Sequence, residues 1–450
     1  MEASLMRHFE DRRIPRYTSY PTAPHFTAAI GEREHRAWLA ALDPAASVSL
    51  YLHLPFCGAL CWYCGCHTKI VSHEEPISRY VAALEREILR IAELLPATMR
   101  VAHLHWGGGT PSIIGPERFR RVMALLRRRF AVAAEAELAI EIDPRRLDPD
   151  MVTALAEEGI TRASLGVQSF DPIVQHAINR LQGFAVTERA VDLLRDAGIR
   201  QINFDLLYGL PHQTAASCRD TARRAASLAP DRLAVFGYAH VPEMKRHQQR
   251  LDAAALPGAA ERHAAAEAIA EALSEAGYVA IGLDHFARPA DPLAAALAVG
   301  RLRRNFQGYS ADPSEVLLGL GASAISTLPE GYLQNTPQIG AYDEAAESGR
   351  LATARGLRLD ADDRFRRDII DHLMCYLVAD LGAIAARHGT DLEGFVAERT
   401  ALRALAQQGI VHLEGDRVAV VDDCRMLVRV VASVFDAYLP RLPGRHARAI

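Results

Sequence analysis

From Val48 onward short apolar runs alternate with helical stretches, and this alternation restricts the fold more than any single motif. Residues 48–54 alternate apolar and polar side chains with the period of a half-buried strand. Apolar runs at 101–106, 138–142, 162–168, 201–207 and 232–238 read as five more strands. Between them lie helical patterns: Tyr80, Val81, Leu84, Ile88, Ile91 and Leu95 recur at helical spacing, and others cover 116–129, 149–158, a segment from about 172, 186–197 and 214–228. Six strands separated by helices predict an α/β fold with a parallel sheet and right-handed crossovers. His105, Glu141, Gln168, Asp205 and Tyr238 each lie in or beside an otherwise apolar run. Barrels and open α/β sheets place their chemistry at strand ends, so these residues predict a shared mouth.

The loop after the first strand opens on that mouth and holds Cys57, Cys61, Cys64 and Cys66, four of the chain's seven cysteines. Soft thiolates suit zinc or an iron-sulfur cluster. Structural zinc takes four ligands, usually from two cysteine pairs far apart in sequence. Cys218, Cys375 and Cys424 are isolated and supply no second pair. A four-iron cluster on three thiolates leaves one iron open to a ligand. The spacing favours the cluster, and on spacing alone zinc stays open.

After the second strand, Gly107-Gly-Gly109-Thr110-Pro111 lets backbone approach a ligand and expose amides. It lacks the Lys-Ser/Thr pair of a P-loop and the dinucleotide fingerprint. Residues 1–46 form a proline-punctuated arm containing Arg16, Tyr17 and Tyr20, to be read as a strap or a lid. A helix at 259–276 leads to clusters around Asp284–Arg288, Arg304–Tyr309 and 319–326, which mix aromatic, glycine, amide and arginine residues as ligand-lining loops do. From about residue 356, helices followed by a tight hairpin suggest a winged-helix-like unit. Its would-be wing lacks a basic cluster, so a structural or substrate-covering module is expected. The expected units are therefore 1–46, 47–355 and 356–450.

The chain has 450 residues, half of them apolar, and a net charge of -4, which gives no field to draw it to nucleic acid or lipid. Only Lys69 and Lys245 are lysines, so arginine carries nearly all the positive charge. The first residues show no charged segment followed by an apolar one, and no apolar run is long enough to span a bilayer. A cytoplasmic protein with metal-binding rather than disulfide-bonded cysteines is expected.

Cys57-x-x-x-Cys61-x-x-Cys64 resembles the signature of the radical S-adenosylmethionine enzymes. Nearly the whole chain is similar to that superfamily's oxygen-independent coproporphyrinogen III oxidase branch. The similarity runs through Pro15–Pro21, Cys66, His105–Pro111, Glu141–Pro144, Gly166–Gln168, Asn179-Arg180, Asp205–Pro211, Tyr238–His240, His285–Pro289 and Asn305–Tyr309. The resemblance implies a partial (β/α)6 barrel with an amino-terminal arm and a mainly helical, winged-helix-like C-terminal domain. It implies a [4Fe-4S] cluster on Cys57, Cys61 and Cys64, and two molecules of S-adenosylmethionine. Positions matching contacts to the first are Tyr51, Gly108, Glu141, Ala239 and Ile325. Tyr63, Gly109, Thr110, Gln168, Arg180 and Asp205 match contacts to the second. Cys66 corresponds to an extra cysteine that is not a ligand but matters for activity, and it joins Tyr51 as a candidate catalytic residue. The implied reaction turns two propionates of coproporphyrinogen III into vinyl groups, with electrons from a donor protein to a monomeric enzyme. Arg16, Arg288 and Arg304 are candidates to bind the substrate's carboxylates. A related haem chaperone is the competing reading; it typically has phenylalanine in place of Cys66 and lacks the arm.

Overall fold

The computed structural model describes residue 9 and residues 12–439. Residues 1–8, 10, 11 and 440–450, including the chain start read above for a leader, lie outside the described residues. All six expected strands form: β1 (Ser47–Leu54), β2 (Arg100–Gly108), β3 (Ala131–Ile142), β4 (Arg162–Gln168), β5 (Gln201–Tyr208) and β6 (Arg232–Gly237). Each pairs in parallel with its predecessor. The crossovers carry α1 (Glu74–Leu94), α2 (Pro116–Arg129), α3 (Pro149–Glu157), α4 (Phe184–Asp196) and α5 (Ala215–Ser227). Local chemistry sets their ends. Asp148 caps α3 by accepting from the Met151 amide at 2.9 Å, and Thr214 caps α5 through the Ser217 amide at 3.1 Å.

The sheet is larger than expected. It continues through β7 (Val279–Ile281), β8 (His285–Ala287), β9 (Val316–Leu320), β10 (Ile325–Leu328), β11 (Gly331–Asn335) and β12 (Thr353–Arg358). The order is β12-β11-β10-β9-β1-β2-β3-β4-β5-β6-β8-β7, open at both ends, so the barrel is partial. Strand β9, whose last two residues fall in the cluster at 319–326 read as ligand-lining, is a seventh parallel strand beside β1. Strand β12 runs across the boundary expected at residue 355. Among the described residues no helix is long and apolar enough to cross a membrane.

Side-chain alternation explains how this sheet makes a site. Val48, Leu50, Leu52 and Leu54 of β1 pack into the main core with Leu104 and Trp106 of β2, Leu138 and Ile140 of β3, Leu165 of β4 and Phe204 of β5. The intervening residues point the other way. They include His103, His105, Glu137, Glu141, Arg162, Asn203, Asp205 and Arg232, which line one cavity of about 1140 Å³.

Buried ion pairs close one end of that cavity. Arg162 donates to Glu137 at 3.0 Å and Asn203 at 2.8 Å, and Arg232 to both oxygens of Asp291 at 2.7 and 2.9 Å. Arg162 and Asp291 are each 2% exposed. Truncating one partner strands the other's charge, so Asp291→Ala should cost about 3–5 kcal/mol in chemical denaturation.

The C-terminal unit has helices Ala361–Tyr376, Leu381–His388 and Val396–Gln407, and a three-stranded sheet of Val378–Asp380, Val411–Glu414 and Arg417–Val420. The arm is built into it. Ile14, Tyr17 and Tyr20 share the C-terminal unit's apolar core, and the Tyr17 hydroxyl donates to Asp436 at 3.0 Å.

Candidate active site

The glycine turn after β2 works by absence of side chains. A Cβ on Gly107 would stand 2.8 Å from Glu141 Oε1, and one on Gly109 would stand 2.5 Å from the Phe56 carbonyl and 3.0 Å from Cys57 Sγ. Gly108, at φ +115°, sits in the left-handed region. Its amide donates to Glu141 Oε2 at 3.0 Å, and the Gly109 and Thr110 amides donate to the Leu54 and Phe56 carbonyls, each at 2.8 Å. The amides expected to face a ligand are thus engaged within the protein. What the glycines provide is room.

Two guanidinium groups face the cysteine loop. Arg180 Nη1 lies 3.5 Å and Arg145 Nη2 3.7 Å from Cys61 Sγ. Arg145 is held by Asp143 at 2.9 and 2.6 Å, and Arg180 also donates to the Gly166 carbonyl at 2.6 Å. The loop's backbone is fixed from outside as well. Gln248 donates to the Tyr63 carbonyl at 3.0 Å, His247 to that of Cys64 at 2.7 Å, Lys245 to that of Cys66 at 2.9 Å, and Asn179 to that of Leu60 at 2.8 Å.

The donor set fits an anionic cluster. Cys57, Cys61, Cys64 and Cys66 are free thiols lining the cavity, with positive charge beside them. A hydrogen bond from Cys66 lowers Cys64 to about 6 and raises Cys66, while burial pushes Cys57 up to about 11. Among the described residues no three His, Cys, Asp or Glu side chains converge tightly enough to hold one metal ion.

The cavity also brings together Tyr63, Gly108, Gly109, Thr110, Glu141, Gln168, Arg180, Asp205 and Ala239. Gln168 sits at φ +70°, where the register between β4 and β5 shifts. Tyr51 stands behind the lining: its ring stacks on His105 at 5.8 Å and its hydroxyl meets His53 Nδ1 at 3.0 Å. Ile325 is not brought to the lining and packs against the Phe26, Tyr332 and Leu359 cluster. Arg288 does not reach the mouth either. Strand β8 runs antiparallel to β6, so Arg288 leaves at the opposite end, where Nε donates to the Pro230 carbonyl at 3.2 Å. Sequence reasoning missed Asp143, Arg145, Lys245, His247 and Gln248 as site residues. Asp143 and Arg145, opposite charges directly after a strand that ends in Glu141, carried a readable signal.

The two central carboxyl groups differ. Burial opposes charge on Glu141, but hydrogen bonds from His105 at 3.3 Å and Gly108 at 3.0 Å, with His105's charge, keep it below the usual carboxylate range. Burial, reinforced by Glu141, raises Asp205 to about 7. Folding thus raises the Asp205 pKa above its unfolded value of about 3.9, and its contribution to stability falls as pH rises from about 4 to 7. Asp205→Asn removes this penalty. In calorimetry the variant's thermal-stability advantage over the parent should grow between pH 4 and pH 8.

Residues 51–225 match the family model described as "Radical SAM superfamily". The oxygen-independent coproporphyrinogen III oxidase of Bradyrhizobium diazoefficiens is 56% identical over 452 residues, covering 100% of both chains. That of Paracoccus denitrificans is 44% identical over 98% of this chain and 97% of its own. The solved coproporphyrinogen III oxidase of Escherichia coli, titled a radical SAM enzyme, superposes with a TM-score of 0.91 at 38% identity, covering 97% of this chain and 99% of that one. With sequence and fold matched from end to end, the chain belongs to the oxygen-independent coproporphyrinogen III oxidases, a family of radical SAM enzymes.

Proposed function

We propose that this cavity is where two propionates of coproporphyrinogen III are oxidatively decarboxylated to vinyl groups, giving protoporphyrinogen IX for haem biosynthesis. The observation that carries this reading is the opening of one three-plus-one cysteine loop onto the same cavity as Glu141, Gln168, Arg180 and Asp205. When bound, a [4Fe-4S] cluster held by Cys57, Cys61 and Cys64, together with S-adenosylmethionine, would supply the one-electron radical chemistry that a propionate decarboxylation of this kind needs.

Cys57, Cys61 and Cys64 hold the cluster, and Arg145 and Arg180 offset its negative charge at Cys61. Glu141, kept ionised, accepts hydrogen bonds from a hydroxyl-bearing ligand such as a ribose. Tyr51 supports this carboxylate through His105, and Gly108 and Ala239 leave space beside it. Gln168 and Asp205 offer the same donor-acceptor chemistry to a second S-adenosylmethionine. Tyr63, Gly109 and Thr110 line its place, and Arg180 can meet its carboxylate. Cys66, a free thiol exposed on the rim beside Cys64, is the candidate to exchange a proton or hydrogen atom with the substrate. The ion pairs at the far end keep water from entering there. Electrons come from a donor protein to a monomer working in the cytoplasm.

Anaerobic incubation of reconstituted protein with reductant, S-adenosylmethionine and coproporphyrinogen III tests this directly. Protoporphyrinogen IX and 5′-deoxyadenosine are expected together. Haem retention without either product would support the chaperone reading instead.

A further inference from the structure

Both guanidinium groups beside the cysteine loop meet the same sulfur. Arg180 Nη1 lies 3.5 Å and Arg145 Nη2 3.7 Å from Cys61 Sγ, whereas Cys57 Sγ meets a neutral donor, the Thr110 hydroxyl, at 3.7 Å. Cys61 is buried, while Cys57 and Cys64 are partly exposed and Cys66 is open to solvent. The two charges therefore act on the loop's cysteine that water screens least.

Arg145 is placed by its own sequence neighbours. Asp143 follows directly on β3 and caps the turn Pro144–Arg146, its Oδ1 accepting from the Arg145 amide at 3.2 Å. The same carboxylate takes the Arg145 guanidinium in a fork, Nε to Oδ1 at 2.9 Å and Nη2 to Oδ2 at 2.6 Å. Asp143 Oδ1 also stands 3.5 Å from Arg180 Nη2. The side chains of Arg145 and Asp143 are only 17% and 10% exposed, so the pair is fixed against the loop rather than swinging in solvent. Burial opposes charge on Asp143, but the hydrogen bond from Arg145 and the two guanidinium charges hold it below the usual carboxylate range. The Nε-Nη2 edge of Arg145, with which an arginine grips a ligand carboxylate, is thus filled by Asp143, and Nη2 turns its other hydrogen to sulfur. Arg145 lines the cavity without a fork to offer there.

We infer that Arg145, clamped by Asp143, acts through Cys61 to raise the reduction potential of a cluster held at Cys57, Cys61 and Cys64, so that an electron carrier of modest reducing power can load it. Uptake of one electron adds one negative charge to the cluster and its thiolates, and no bond forms or breaks. A fixed cation and an N–H donor at a ligand sulfur stabilise that added charge more than they stabilise the oxidised state, which raises the potential. Arg145 touches no reacting atom, and Asp143 is the positioning residue that keeps it in place. The inference rests on the cluster proposed above.

The test is the midpoint potential of the anaerobically reconstituted protein without substrate. The EPR signal of the reduced cluster is read at a series of poised potentials, with dithionite supplying electrons through one-electron mediators. At a fixed potential Arg145→Gln should shift the ratio of reduced to oxidised cluster about tenfold towards the oxidised form, equivalent to about 59 mV for one electron. Arg145→Lys keeps the charge but loses the fork, and should recover part of the shift. Circular dichroism and iron and sulfide content check that each variant is folded and loaded. An unmoved potential in Arg145→Gln, or the same shift in Arg145→Lys, would overturn the inference. Loss of iron and sulfide in both variants would do so too, by assigning Arg145 to the architecture of the loop. A potential that falls as expected in a protein that forms no vinyl product would contradict the function and leave the inference standing. Normal turnover by the parent with a potential that Arg145→Gln does not move would do the reverse.

Discussion

Cys57→Ser, Cys61→Ser or Cys64→Ser should each abolish formation of 5′-deoxyadenosine, by more than about a thousandfold, because one lost thiolate leaves a cluster with too few anchors. Iron and sulfide analysis of anaerobically reconstituted variants checks this, with near-zero cluster expected for each. Cys66→Ser provides the contrast. It should retain iron and sulfide at the parent level while losing vinyl product, since Cys66 is a free thiol on the exposed rim of the loop. If Cys66→Ser lost the cluster as the others do, the three-plus-one division of this loop would be wrong.

The second large effect concerns a residue with no functional group. Gly109→Ala should reduce turnover at least about a hundredfold, because its Cβ would lie 2.5 Å from the Phe56 carbonyl and 3.0 Å from Cys57 Sγ. Neither neighbour is the free end of a flexible side chain, so the cysteine loop itself must move, and small displacements at a reacting centre are costly. Gly65→Ala is the control. Gly65 lies between Cys64 and Cys66, yet a Cβ there meets nothing within 4 Å. Turnover and cluster content of the two variants, measured side by side, separate crowding at the glycine turn from general sensitivity of the loop.

The parallel core of the fold was legible because its strands alternate. In β1 the apolar positions Val48, Leu50, Leu52 and Leu54 face the helices, leaving Tyr51 and His53 for the other face, and the same parity exposes Glu141 and Asp205 to the cavity. The outer strands were not legible. Val316–Leu320 is a short apolar run whose partner, β1, lies more than 260 residues earlier, and nothing local distinguishes it from a buried loop. The direction of β8 was equally hidden, and so Arg288 was expected at the mouth although antiparallel pairing takes it to the other end.

The site was legible to the extent that its residues carry their own chemistry. Cys57, Cys61, Cys64, Glu141, Gln168, Arg180 and Asp205 do, and all line one cavity. The contribution of Lys245, His247 and Gln248 was not legible, because it consists of bonds to backbone carbonyls about 180 residues away. Local pattern cannot encode such long-range bonds. The glycine turn was half read: its closeness to the site was foreseen, but its amides are used up by Glu141, Leu54 and Phe56.

Coproporphyrinogen III deuterated at the propionate β-carbons, turned over anaerobically by the reconstituted enzyme, tests most directly whether the cysteine loop and the cavity serve one radical reaction. Mass spectrometry should find deuterium in the 5′-deoxyadenosine released with the vinyl product. Unlabelled 5′-deoxyadenosine accompanying vinyl product would contradict hydrogen abstraction from the propionate in this cavity.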